Sequence, residues 1–196
     1  MNETAWLAHY FERYRTALFE HDVAPQLITL KGWMLQAQAR GAKVIFAGNG
    51  GSAAMASHCA VDFTKNAGIR SINFNEADLI TCFANDYGYE SWLRKALEAY
   101  ADDGDLVVLI SSSGKSPNIL NAARYALEQG LKLVTFTGFA QDNPLAALGH
   151  LSFWLDSRAY NVIEMTHHIW LLAVCDLIIG EAEYPARQEE RDAVRQ

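Results

Sequence analysis

Two short apolar runs, rich in β-branched residues, are each followed at once by a loop of small polar residues and then by a helical pattern. Val44-Ile45-Phe46-Ala47 leads into Gly48-Asn49-Gly50-Gly51-Ser52, and Leu106-Val107-Val108-Leu109-Ile110 leads into Ser111-Ser112-Ser113-Gly114-Lys115-Ser116. A run that is apolar at every position has no solvated face, so it reads as a strand covered on both sides of a parallel sheet. Parallel neighbours need long crossovers, and helices supply them. These runs point to an α/β fold and away from sandwiches and plain helical bundles.

The remaining pattern fits that frame. A weak strand is expected over Ser71–Phe74, with further strands over Leu131–Thr137 and Leu151–Leu155. Helices are expected over Ala53–Lys65, Ala77–Phe83, Tyr89–Tyr100, Pro117–Gln129, Pro144–Leu148 and Tyr160–Ile179. Two helices lead the chain. Leu7, Phe11, Tyr14 and Leu18 share one helical face, widened by Trp6, Tyr10 and Phe19. Pro25 opens the second helix, which carries Leu27, Leu30, Trp33 and Met34 and stops at Gly41. The expected architecture is a three-layer α/β/α doubly wound domain with a mainly parallel five-stranded sheet. One domain accounts for the chain: helices over 1–40, the α/β core over 41–183, and a polar tail over 184–196 that frays.

Composition limits the partners. Half of the 196 residues are hydrophobic, enough for a large core, and the net charge is −7. Such a surface repels nucleic-acid backbones and anionic membranes, so a bound phosphate needs local donors. Cys59, Cys82 and Cys175 are odd in number and form no CxxC pair, which suits reduced thiols in the cytoplasm. The charged N-terminal stretch has no apolar signal core, and no window approaches 18 uninterrupted apolar residues, so no membrane span is expected.

Ligands of open parallel sheets bind beyond the carboxyl ends of the strands, where both loops fall. Glycines at 48, 50 and 51 allow close backbone approach, and Ser52 opens a helix whose free N–H groups favour an anion. Residues 111–116 repeat the plan with hydroxyls, and Asn118 follows in the next first turn. A phosphate-sized anion suits the pair. Gly114-Lys115-Ser116 is no nucleotide P-loop, because Leu109 stands where that motif needs glycine. GNGGSA meets the dinucleotide spacing only with Ala53 in third place and Glu76 as the ribose acid, and it leaves the serine loop unexplained. No nucleotide cofactor is expected.

VIFAGNGGS followed about sixty residues later by LVVLISSSGKSPNI resembles the sugar isomerase (SIS) domain. ANDYGY at Ala84–Tyr89 is similar to the phosphoheptose isomerase branch, which converts sedoheptulose 7-phosphate to a mannoheptose 7-phosphate. That branch also holds a replication-initiation regulator that binds DnaA. The resemblance implies that Ser52, Ser111, Ser112, Ser113 and Ser116 bind phosphate, with Gly50 and Gly51 in the same loop. It also implies that Asn49 and Asp86 line the sugar site, and that homotetramers share their sites through the aromatic-rich leading helices.

For catalysis the resemblance implies a Glu on the helix after GNGGS and a His on the last helix. Asp62 stands at the first position and Leu171 at the second, with Ile163 where the family has Gln. His58 precedes Asp62 by one turn on the same face. The last helix offers Glu164 and His168 at i, i+4, with His167 turned about 100° away. Asp62 is expected to be the base and a histidine of the 167–168 pair the acid. His58, Asp62, Glu164 and His168 together form a candidate zinc set. The rival reading is a non-catalytic, sugar-phosphate-binding or regulatory SIS module, which Leu171 favours.

Overall fold

A computed structural model describes residues 1–184 of the chain, so the tail expected to fray lies outside the described residues apart from its first position. Five strands form one sheet: β1 (Val44–Gly48), β2 (Ser71–Ile72), β3 (Leu106–Ile110), β4 (Lys132–Thr137) and β5 (Leu151–Trp154). Their order is β2-β1-β3-β4-β5, and every neighbouring pair is parallel. The chain thus winds outward from β1 in both directions, and β1 and β3 lie side by side at the reversal. Ligands of such sheets sit at that reversal.

Successive residues of each central strand enter opposite cores, as the pleat requires. Val44, Phe46, Val108, Ile110, Val134 and Phe136 enter one core with Phe63, Phe153 and Trp170. Ile45, Ala47, Val107, Leu109 and Leu133 enter the other with Trp92, Leu97 and Ile119. The first core lies under α1 (Glu3–Phe19), α2 (Ala24–Ala39), α3 (Gly51–Lys65) and α7 (Tyr160–Ile179). The second lies under α4 (Ala77–Tyr87), α5 (Trp92–Tyr100) and α6 (Pro117–Glu128). The doubly wound, three-layer fold is the one expected.

Several boundaries differ from the sequence reading: the helix expected from Tyr89 starts at Trp92, and that expected over Pro144–Leu148 is a 3-10 turn over Ala146–Leu148. Helix α3 begins at Gly51 rather than Ala53, so Ser52 is already helical. Helix α4 runs on to Tyr87, and Gly88, at φ 84°, ends it. Strand β2 keeps only two residues, Ser71 and Ile72, paired with Val44 and Ile45 of β1. Helix α7, with 20 residues and a mean hydropathy of 1.6, is long and apolar enough to cross a membrane by length and composition. It instead serves as a core helix: Val162, Ile163, Trp170, Leu171 and Val174 are buried against the sheet side.

The end of the sheet remote from the loops is fixed by a buried ion pair. Lys43 Nζ lies 2.6 Å from Asp105 Oδ2 and 2.7 Å from Asp102 Oδ2. Asp105 also accepts from the Lys43 and Asp102 amides.

Candidate active site

The glycine and serine loops meet beside the N-termini of α3 and α6. Asn49, Ser52, Ser111, Ser112, Ser113 and Ser116 line a pocket of about 140 Å³, closed by Tyr160 and Glu164 of α7. Neither helix start carries a side-chain cap, so their positive ends are left to a ligand. Ser111 Oγ and Ser116 Oγ stand 3.4 Å apart across the serine loop. Asn49 and Asn118 exchange amide hydrogen bonds of 3.0 and 2.9 Å, which ties the two loops together. The Tyr89 hydroxyl donates to Asn49 Oδ1 at 3.2 Å. Among the described residues no Lys or Arg side chain lines this pocket. It therefore offers hydroxyls and helix ends to an anion, and its volume suits a phosphate group better than a whole sugar.

Gly114 is required by its backbone and by Asn143, and Gly51 leaves room for the end of the Glu164 side chain. A Cβ on Gly51 would collide with the Glu164 carboxylate, and one on Gly114, at φ 63°, would collide with Asn143. Glu164 is consequently seated against the glycine loop. Burial pushes its carboxyl above the ordinary range. A carboxyl in an anion pocket that is easily kept neutral can donate a hydrogen bond.

Helices α3 and α7 run side by side in the same direction: Gly51 faces Glu164, His58 faces His168, and Asn66 reaches Tyr184. One to two turns below the pocket, the His58 and His168 rings meet edge to face at 4.7 Å. His58 Nε2 lies 3.1 Å from Asp62 Oδ2. His168 Nε2 is buried and has no hydrogen-bond partner. Burial first, and the charge of His58 second, hold His168 below the ordinary histidine range against the opposing pull of Asp62. It is thus a neutral imidazole at pH 7.

The structure divides the expected catalytic and metal residues. His58, Asp62 and His168 come together, but Glu164 turns to the phosphate pocket one helical turn away. Among the described residues no group of three or more His, Cys, Asp or Glu side chains is arranged to hold a metal ion. In this geometry His58, Asp62, Glu164 and His168 do not form one four-residue cluster. His167 is also no acid at the site. It is fully buried, bonds Thr137 O at 3.1 Å through Nε2, and packs edge-on to Phe136. Burial drives its pKa down to about 3, so it is a neutral core side chain. Its 100° offset from His168 turns it inward, beside Leu171, which is likewise fully buried.

Asp86 lies exposed on the last turn of α4, where it accepts from Asn85 Nδ2 at 2.9 Å, and it does not line the pocket. Tyr89 occupies the place beside Asn49 instead. The sequence held ANDYGY in view but gave no means to choose between its members, because the contact arises only after Gly88 reverses the chain.

The SIS domain family matches residues 9–138. Phosphoheptose isomerase from Pelobacter propionicus is 31% identical over 173 residues, covering 84% of this chain and 91% of the relative. That from Burkholderia pseudomallei is 42% identical over 106 residues, covering 51% and 54%. Among solved structures, phosphoheptose isomerase from Neisseria gonorrhoeae superposes with a TM-score of 0.82 at 27% identity, covering 91% of this chain and 99% of that one. The Francisella tularensis phosphoheptose isomerase gives 0.83 at 24% identity, covering 92% and 100%, and bears on the fold alone. The chain belongs to the SIS domain family. Within it, the chain falls in the phosphoheptose isomerase branch.

Proposed function

We propose that the protein is a phosphosugar isomerase that acts on sedoheptulose 7-phosphate or a sugar phosphate of similar length. The observation that carries this reading is the alignment of two sites along α3 and α7. The serine pocket takes a phosphate, and the His58–Asp62–His168 cluster lies about 9 Å further on, six helical residues past Ser52. That separation suits a substrate whose carbonyl lies several carbons from its phosphate, not a triose phosphate.

Aldose–ketose isomerisation moves one proton between adjacent carbons. A base takes the C1 proton, its electron pair forms the C1–C2 double bond, and an acid protonates the carbonyl oxygen on C2. The enediol then collapses: C2 receives a proton, the hydroxyl on C1 loses one, and the aldose results. The roles differ from those expected from sequence. Neutral, partner-free His168 is fit to take the carbon proton. Asp62 Oδ2 lies 3.1 Å from His58 Nε2, so that pair is placed to pass the proton to oxygen. Three free thiols support a reducing, cytoplasmic setting, and exposed aromatics on α1 support assembly into a tetramer with shared sites.

Incubation with sedoheptulose 7-phosphate in deuterium oxide tests the reading. Deuterium is expected at C1 or C2, and its uptake should vanish in His168→Ala. Binding that requires the phosphate and the serines, with no exchange at either carbon, would overturn the enzyme in favour of a sugar-phosphate sensor, the reading that Leu171 supports.

A further inference from the structure

A larger cavity lies outside this site. A cleft of about 360 Å³ opens between α1 and the connection from β5 to α7, lined by His9, Glu12, Arg13 and His21 from the leading segment and Asp156 and Arg158 from the connection. Ala17 and Val162, both buried, form its floor. In a chain of net charge −7, two arginines, Arg13 and Arg158, stand beside two carboxylates, Glu12 and Asp156, in one cavity.

Those cations are uncommitted. Glu12 is already bound by Arg15 at 2.6 Å. Neither Arg13 nor Arg158 makes a hydrogen bond or ion pair among the described residues, and Asp156, the remaining carboxylate, pairs with neither. The segment carrying Arg158 is nonetheless firmly built. Ser157 O accepts from Phe139 N at 2.9 Å, Ser157 N donates to Leu155 O at 2.8 Å, and Ser157 Oγ accepts from Ala159 N at 3.2 Å. Phe139 adopts φ 56°, an unfavourable backbone for a residue with a side chain, to make its contact. His21 also lines a second hollow, of about 260 Å³, that includes Asp22.

We propose that this cleft is a second ligand site, for a phosphorylated polyol or sugar distinct in position from the substrate. Arg13 and Arg158 grip the phosphate from opposite walls, because guanidinium forks match phosphate oxygens. Asp156 and Asp22 accept from hydroxyls of the remainder. The serine pocket binds phosphate without any cation, whereas this cleft binds it through cations, so the two sites respond to different substitutions. The inference does not depend on the isomerase reading.

Glucitol 6-phosphate, which has no carbonyl to isomerise, is the probe, with inorganic phosphate beside it, in calorimetric titrations of the full chain. Two binding events are expected in the native protein. The double variant Arg13→Gln, Arg158→Gln should lose one of them by at least tenfold while Ser52→Ala, Ser112→Ala loses the other. Arg158→Lys should weaken the first event less than Arg158→Gln does, since it keeps the charge and loses the fork. A single event abolished by the serine substitutions would overturn the proposal. So would an arginine double variant that binds as the native protein does, or one that changes only the assembly state in light scattering, which would give the cleft to a second copy of the chain.

Discussion

His167 and His168 are adjacent in sequence and opposite in consequence, and each makes its own prediction. His167→Ala opens a hole in the core beside Phe136 and Trp170 and should cost on the order of 3 kcal/mol of stability, read by denaturant titration, with isomerisation intact in the folded fraction. His168→Ala removes a half-buried ring at the site; it should leave the midpoint nearly unchanged and reduce turnover about 10²–10⁴-fold, the usual worth of a proton-transfer group. Equal effects of the two would contradict the division. Glu164 yields a prediction of opposite kind. Its carboxyl sits above the ordinary value of 4.5 through burial, so the folded protein holds a proton there that the unfolded chain has released. Stability therefore falls as pH rises from 4.5 through the folded value, and an anion in the pocket sharpens the effect. Sulfate, which does not titrate in this range, should bind more weakly as pH rises in the native protein and almost independently of pH in Glu164→Gln. A native protein whose sulfate affinity is flat in pH would show that Glu164 does not face the bound anion.

The elements show how much of this was legible from sequence. Strands β1 and β3 were plain because burial on both faces leaves an uninterrupted apolar run, and the loops after them had to carry the ligand because the sheet reverses there. Spacing put His58 with Asp62 and Glu164 with His168, since i, i+4 is a property of one helix. Spacing could not say which residue of α3 each member of α7 would face. That depends on the rotation and offset of two packed helices, and Gly51, by admitting Glu164 at the level of the phosphate loop, sets the offset one turn away from a four-residue cluster. Tyr89 stayed hidden for the same reason, and Asn118, legible as a first-turn residue, gave no sign of its partner, as both contacts to Asn49 cross between elements. The Lys43–Asp105 pair, also invisible in pattern, predicts that the two ends of the sheet are separable. Burial disfavours the Lys43 charge, yet hydrogen bonds from Lys43 to Asp102 and Asp105 outweigh it and lift the ammonium above its ordinary 10.5. The stabilisation is thus complete at neutral pH and disappears only as pH rises through that elevated value. Asp105→Asn should cost about 3–5 kcal/mol at pH 7, measured by denaturant titration, while sulfate affinity at the far end of the strands stays as it was.

At the scale of the whole molecule, the surface carries more apolar area than a lone copy accounts for. Helix α1 buries only Ala17. Trp6, Phe11 and Phe19 remain 49%, 62% and 78% exposed, and Ile28 of α2 is 62% exposed. Trp6 and Tyr10 stack at 5.3 Å, which presents one continuous aromatic ridge instead of scattered side chains. A second set, Val61 on α3 and Met165 and Ile169 on α7, is exposed beside His58, Asp62 and His168. Contiguous apolar surface of this extent marks association, and its position ties assembly to chemistry: a neighbouring copy seated on Val61 and Ile169 would roof the histidine cluster and exclude water from the enediol. Light scattering at micromolar concentration should therefore report an oligomer, and Phe11→Glu together with Ile169→Glu should shift it toward smaller species. Turnover per chain should fall with that shift, and fall again on dilution of the native protein, although neither residue touches the proposed phosphate pocket. A monomer that exchanges the C1 or C2 proton at the full native rate would show that each copy completes its own site, and the exposed face beside His58 would then need another explanation.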